Sequence, residues 1–143
     1  MKLATVRFYF DADILGLAKV VGMLRPDVTY PGDSGAQIHG RARPPCAITT
    51  ADTPDTVWIP YTASNGMIAV TRDGRIRQRV AELDAVMEHD ARLVVLTSTD
   101  AKTVWDQLEV LMTQWRRIER LHELPGPFIY RASRSSLQAV ELS

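Results

Sequence analysis

Phe8-Tyr9-Phe10-Asp11-Ala12-Asp13 near the start of the chain and Met67-Ile68-Ala69-Val70-Thr71-Arg72-Asp73 in its middle decide the fold. Each is an apolar run of strand length that stops on aspartate. In an open parallel sheet the carboxyl ends of the strands line the crevice where ligands bind, so acids placed after two such strands can meet there. Like charges that close do not all ionise cheaply without a cation between them. For carboxylate oxygens the simplest such cation is Mg²⁺ or Mn²⁺.

Outward from these runs, strand and helix alternate. A strand over 6–10 leads into helical spacing over 14–24, which Arg25-Pro26 ends because proline cannot continue a helix. A short strand over 28–30 follows. Residues 31–52 carry Pro31, Gly32, Gly35, Gly40, Pro44 and Pro45 and read as a long loop with Arg41 and Arg43 exposed. Thr53-Pro54 reads as an N-cap with proline at the first helical position, opening a helix to about residue 64 that Asn65-Gly66 closes. A strand over 67–71, a helix over 74–88 capped by Asp73, and a strand over 92–97 come next. In a last helix over 101–121, capped by Thr99 or Asp100, Val104, Leu108, Leu111, Trp115 and Ile118 form an apolar stripe flanked by Trp105 and Met112. Such a stripe most often covers a sheet; a partner groove or a homodimer seam is the alternative. Edge strands are expected over 128–130 and 137–142. The pattern predicts one α/β domain over residues 1–143, three layers deep, with a mainly parallel sheet of four or more strands.

Composition narrows the function. A chain of 143 residues hides roughly 70% of its unfolded surface on folding, enough for a core without disulfide or structural metal. Cys46 stands alone, and His39, His89 and His122 are too scattered for a zinc site. No secretory pattern opens the chain and no apolar run approaches the ~20 residues of a membrane span, which together predict a cytoplasmic protein. Net charge is zero, so any nucleic-acid contact must use local basic patches.

Topology gathers the aspartates. A helix that connects parallel strands runs antiparallel to them, so its N-terminus lies at the edge where the strands end. Asp55, in the first turn of such a helix, is expected to face Asp11 and Asp73, favoured by the positive end of the helix dipole. Asp13, Asp33 and Asp100 are further candidates on that edge. Capping alone accounts for many aspartates at helix starts, and Asp100 and Asp52 suit that role.

These residues also carry a resemblance. Phe10-Asp11-Ala12-Asp13-Ile14-Leu15, Pro54-Asp55-Thr56-Val57-Trp58-Ile59 and Val70-Thr71-Arg72-Asp73 resemble, in that order over residues 6–97, the PIN-like ribonucleases, especially the VapC-type toxins. The resemblance implies a PIN-like α/β/α fold and an Mg²⁺- or Mn²⁺-dependent endoribonuclease. Asp11, Asp55 and Asp73 would then be the catalytic, metal-binding acids. It further implies RNA as substrate and a cognate antitoxin as partner. The position two residues after Asp73, acidic in many members, is Arg75, which leaves Asp13 and Asp100 as candidates for a further ligand. The chemistry suits the residues: a divalent ion on two or three carboxylates makes water more acidic and steadies a leaving oxygen, with no side-chain nucleophile needed. Arg72, Arg75 and Arg79 are candidates for RNA phosphates, with a solvated helix face as the plain alternative.

Two other classes compete. Asp11-Ala12-Asp13 with Leu93-Val94-Val95-Leu96-Thr97-Ser98 also resembles haloacid-dehalogenase-like phosphatases and phosphorylated receiver modules. Both use an active-site lysine, and only Lys102 lies near the proposed crevice. A PIN-like binding module without catalysis is the third possibility, suggested by Arg75.

Overall fold

The computed structural model describes residues 2–142. In chain order the elements are β1 (Lys2–Leu3), β2 (Phe8–Phe10), α1 (Leu15–Leu24), β3 (Val28–Thr29), β4 (Ala36–Ile38), β5 (Arg41–Arg43), α2 (Asp55–Ser64), β6 (Ile68–Thr71), α3 (Val80–Glu88), β7 (Arg92–Leu96), α4 (Val104–Arg120), β8 (Phe128–Ala132) and β9 (Leu137–Ala139). Among the described residues no helix is long and apolar enough to cross a membrane.

Successive strand residues face opposite ways, and in β2 both directions are buried. Phe8 and Phe10 pack with Leu17, Val21, Val110 and Ile118 of α1 and α4; Tyr9 packs on the other side with Trp58 and Ile59 of α2 and Val86 of α3. Helices therefore cover both faces of the sheet, as strands apolar on both faces require. The sheet runs β3-β2-β6-β7-β8-β9, parallel through β8 and antiparallel at β9. This is the expected three-layer α/β/α arrangement. Tyr9 pairs with Ala69 and Phe10 with Val70, so β2 and β6 finish side by side and deliver Asp11 and Thr71 to the same edge.

The segment over 31–52 departs from a plain loop. It holds the β4–β5 hairpin, turned at His39-Gly40, where both residues take positive φ (51° and 74°), and β5 pairs in parallel with β1. Arg43 is not exposed but buried. Its Nε donates to Asp33 Oδ2 at 2.7 Å, and its Nη1 donates to the carbonyls of Gly22 and Arg25 at 3.0 Å each. Asp33 also accepts from the Thr29 hydroxyl and the Gly35 amide, at 2.8 and 2.9 Å. The carboxylate that the sequence places near the crevice thus anchors the hairpin to the end of α1.

Other boundaries shift for local reasons. The helix expected over 74–88 begins at Val80, because 76–78 form a 3-10 turn that buries Ile76. The last helix is capped by Thr103, whose hydroxyl accepts from the Asp106 amide while Asp106 reaches back to the Thr103 N–H, rather than by Thr99 or Asp100. Its buried face is also rotated from the expected stripe. Gln107, Val110, Leu111, Gln114 and Ile118 point inward, and Val104, Trp105 and Met112 are exposed. The amide nitrogens of the two glutamines find partners, Gln107 donating to the Ala101 carbonyl and Gln114 to that of Ser133, while Gln107 Oε1 is buried without one.

Candidate active site

Asp11 extends the sheet by one rung, its amide donating to the Val70 carbonyl at 2.9 Å. Its Oδ1 then accepts from the Ala12 amide at 2.7 Å, turning the chain out of the strand into a 3-10 turn over Ala12–Ile14. That turn swings Asp13 back over the strand ends, where its Oδ2 accepts from the Arg72 amide at 3.0 Å. The Thr71 hydroxyl lies 3.2 Å from Asp11 Oδ2 and 3.1 Å from Asp13 Oδ2, and itself accepts from the Asp73 amide at 3.1 Å. A hydroxyl has one proton, so it serves one of these two carboxylates at a time.

A second pair sits beside the first. Asp73 Oδ1 accepts from the Arg75 amide at 3.0 Å, and Asp55 Oδ1 accepts from the Trp58 indole N–H at 2.9 Å. The remaining oxygens turn toward one guanidinium: Arg79 Nη1 is 2.6 Å from Asp73 Oδ2 and 3.7 Å from Asp55 Oδ2. Arg72, Arg75 and Arg79 line an open cleft together with Asp13 and Asp73. Acidic floor and basic rim share one opening.

The electrostatics mark this edge as strained. Burial, followed by repulsion from Asp13, pushes the Asp11 carboxyl up to about 7. Asp13 is exposed as a residue, yet its carboxyl lies down against Thr71 and the Arg72 backbone, and lost hydration there raises its pKa. Asp55 is raised chiefly by burial, with the Trp58 hydrogen bond opposing. Behind Asp11, burial pushes the Tyr9 phenol up as well, and its hydroxyl has no hydrogen-bond partner. Burial is the leading cause of each of these shifts, and the neighbouring acids add to it.

Asp11, Asp13, Asp55 and Asp73 therefore come together, while Asp100 does not join them. It accepts from the Arg134 amide at 3.1 Å and faces the Arg134 guanidinium, which also binds Asp106 and Glu109. Lys102 meets the rim through its carbonyl, 3.5 Å from Arg72 Nη1. Thr71 and Trp58 are the contributors without an assigned role in the sequence reading. The signals were present: a threonine at the strand end before Asp73, and a tryptophan three residues after Asp55 on one helix face.

The donor set, all carboxylate oxygens with one hydroxyl, suits a hard divalent cation and no soft one. Among the described residues no three His, Cys, Asp or Glu side chains stand close enough to hold an ion as they are placed, and Asp55 and Asp73 each direct one oxygen to Arg79. Residues 7–98, nearly two thirds of the chain, match a family model described as a PIN like domain. No curated protein and no solved structure matches.

Proposed function

Because the chain belongs to the PIN-like domain family, a family of nucleases, we propose that it is an endoribonuclease that uses Mg²⁺ or Mn²⁺ and acts as the toxin of a type II toxin–antitoxin pair, residues 1–143 forming one PIN-like domain. The observation that carries the nuclease reading is the meeting of four carboxylates under an arginine rim at the carboxyl edge of a parallel sheet. The phosphatase and receiver readings lose support, since the matched family covers both motifs on which they rested, residues 11–13 and 93–98.

Asp11, Asp13, Asp55 and Asp73 are the residues that would hold the ion. Bound there, the ion would supply the positive charge that activates water and steadies the leaving oxygen. The chain itself supplies position. Arg72, Arg75 and Arg79 meet phosphate oxygens, which guanidinium groups bind with two donors. Trp58 holds one oxygen of Asp55 in place, and Thr71 keeps Asp11, Asp13 and Asp73 in register. Neutral net charge leaves this rim as the local attraction for RNA. A cognate antitoxin is the partner proposed, with the exposed Trp105 and Met112 of α4 as part of its seat or of a homodimer seam.

Purified protein is expected to cleave single-stranded RNA with millimolar Mn²⁺, to stop on addition of a chelator, and to lose activity by about 10²-fold or more in Asp73→Asn. Wild type expressed alone is expected to arrest growth and Asp73→Asn to be tolerated. Intact RNA under all these conditions, with RNA still bound, would favour the non-catalytic binding module that Arg75 suggests.

A further inference from the structure

Arg79 occupies the place where a cation on Asp55 and Asp73 would sit. Backbone and indole donors take Oδ1 of each carboxylate, and Oδ2 of each faces Arg79. Among the described residues, Arg79 is the guanidinium that bridges this pair. It stands at the N-terminal boundary of α3 with its side chain 42% exposed. It also lines the cleft with Arg72 and Arg75, whose side chains make no ion pair with these acids.

We propose that Arg79 is a substrate-responsive latch, seated on Asp73 and Asp55 until an RNA phosphate in the cleft draws it away and frees both carboxylates for the divalent ion. The proposal rests on the ribonuclease reading above. The exchange trades one charge-assisted contact, Arg79 Nη1 on the two carboxylates, for another on phosphate, where a guanidinium can use two donors. It also avoids leaving two facing carboxylates bare when neither RNA nor ion is present. By linkage, RNA that captures Arg79 must raise affinity for the ion, and the ion must raise affinity for RNA by the same factor. Arg79 is then a positioning residue that makes ion loading follow substrate.

The test is Mn²⁺ titration by calorimetry on wild type, Arg79→Gln and Arg75→Gln, each with and without a short phosphorothioate-linked single-stranded RNA. Arg79→Gln alone is expected to bind Mn²⁺ about tenfold more tightly than wild type without RNA, a typical coupling between two ligands of one site. RNA is expected to raise Mn²⁺ affinity in wild type and in Arg75→Gln by a similar factor, and in Arg79→Gln by no more than about twofold. The Arg75→Gln arm removes the same charge from the same rim, so equal tightening in both variants would reduce the effect to general electrostatics and overturn the latch. Equal Mn²⁺ affinity in wild type and Arg79→Gln would overturn it while leaving the ion site standing. Absence of Mn²⁺ binding in every protein, with or without RNA, would overturn the reading of the site itself.

Discussion

Two groups of carboxylates in this molecule have opposite surroundings. Asp33 is buried against Arg43 with side-chain exposures of 1% and 2%, and its two oxygens accept from a guanidinium, a hydroxyl and an amide. Asp11, also buried, accepts from the Ala12 amide, shares the Thr71 hydroxyl with Asp13 and, among the described residues, forms no ion pair. A buried charge whose hydrogen-bonding capacity is met holds chains together; one left short of partners has its pKa raised. Burial alone does not separate these two kinds of carboxylate. The complement of partners does.

The contrast is open to three measurements. Arg43→Ala would leave Asp33 buried and unpaired, and is expected to destabilise the protein by about 3–5 kcal/mol in urea denaturation. Arg43→Leu with Asp33→Leu should recover part of that loss, because no bare charge remains. A single substitution costing only a few tenths of a kcal/mol would mean that the hairpin anchor does not hold the 31–52 segment.

Asp11→Asn should act in the other direction. The amide still accepts from Ala12, its NH₂ donates to Thr71, and the freed Thr71 proton serves Asp13. A stabilisation of about 1–3 kcal/mol without metal at pH 8 is expected, discounted from the full pKa shift for residual solvent. It should vanish or reverse in millimolar Mn²⁺, which rewards the carboxylate by mass action. A lower melting temperature without metal would show that Asp11 is already compensated.

The smallest effect lies at the opposite edge of the sheet. His122 packs against Phe8, and burial followed by Arg7 and Arg92 pushes its pKa down to about 4 from 6.5. The folded protein keeps this ring neutral while the unfolded chain protonates it below 6.5, so its contribution to stability is present above that pH and is lost as pH falls toward 4. His122→Phe should flatten the slope of stability against pH in that window. An unchanged slope would mean that the ring is already charged in the fold. Here a crowded charge is relieved by neutralisation, a third outcome beside pairing and ligand binding.

How much of this was legible in the sequence depends on the range of the interactions. The strand-then-acid runs ending at Asp11 and Asp73, and Asp55 in the first turn of its helix, are local patterns, and local patterns place strand ends and helix starts. The β4–β5 hairpin was hidden because each strand is three residues long and sits among prolines and glycines, although His39-Gly40 is a fair turn signal. Arg43 read as a surface cation because its four acceptors lie 10 to 21 residues back in the chain. Asp100 read as a site candidate because its partner, Arg134, is 34 residues ahead. The rotation of α4 escaped for a related reason: Gln107 and Gln114 count as polar in any periodicity, and their burial depends on carbonyls that the fold supplies. The sequence points Arg79 toward phosphate, and its seat between Asp55 and Asp73 follows from geometry that no spacing rule encodes.

The rung between the Asp11 amide and the Val70 carbonyl also divides the site by timescale. That amide is locked into the central strands and should exchange its proton with solvent only when the whole domain opens, on the slowest clock the molecule has. The Arg75 amide, bonded to a side-chain oxygen on an exposed turn, should exchange through brief local openings. The amide that leads into Asp11 is set as firmly as the fold, and the turn that carries Arg75 is expected to open well before it.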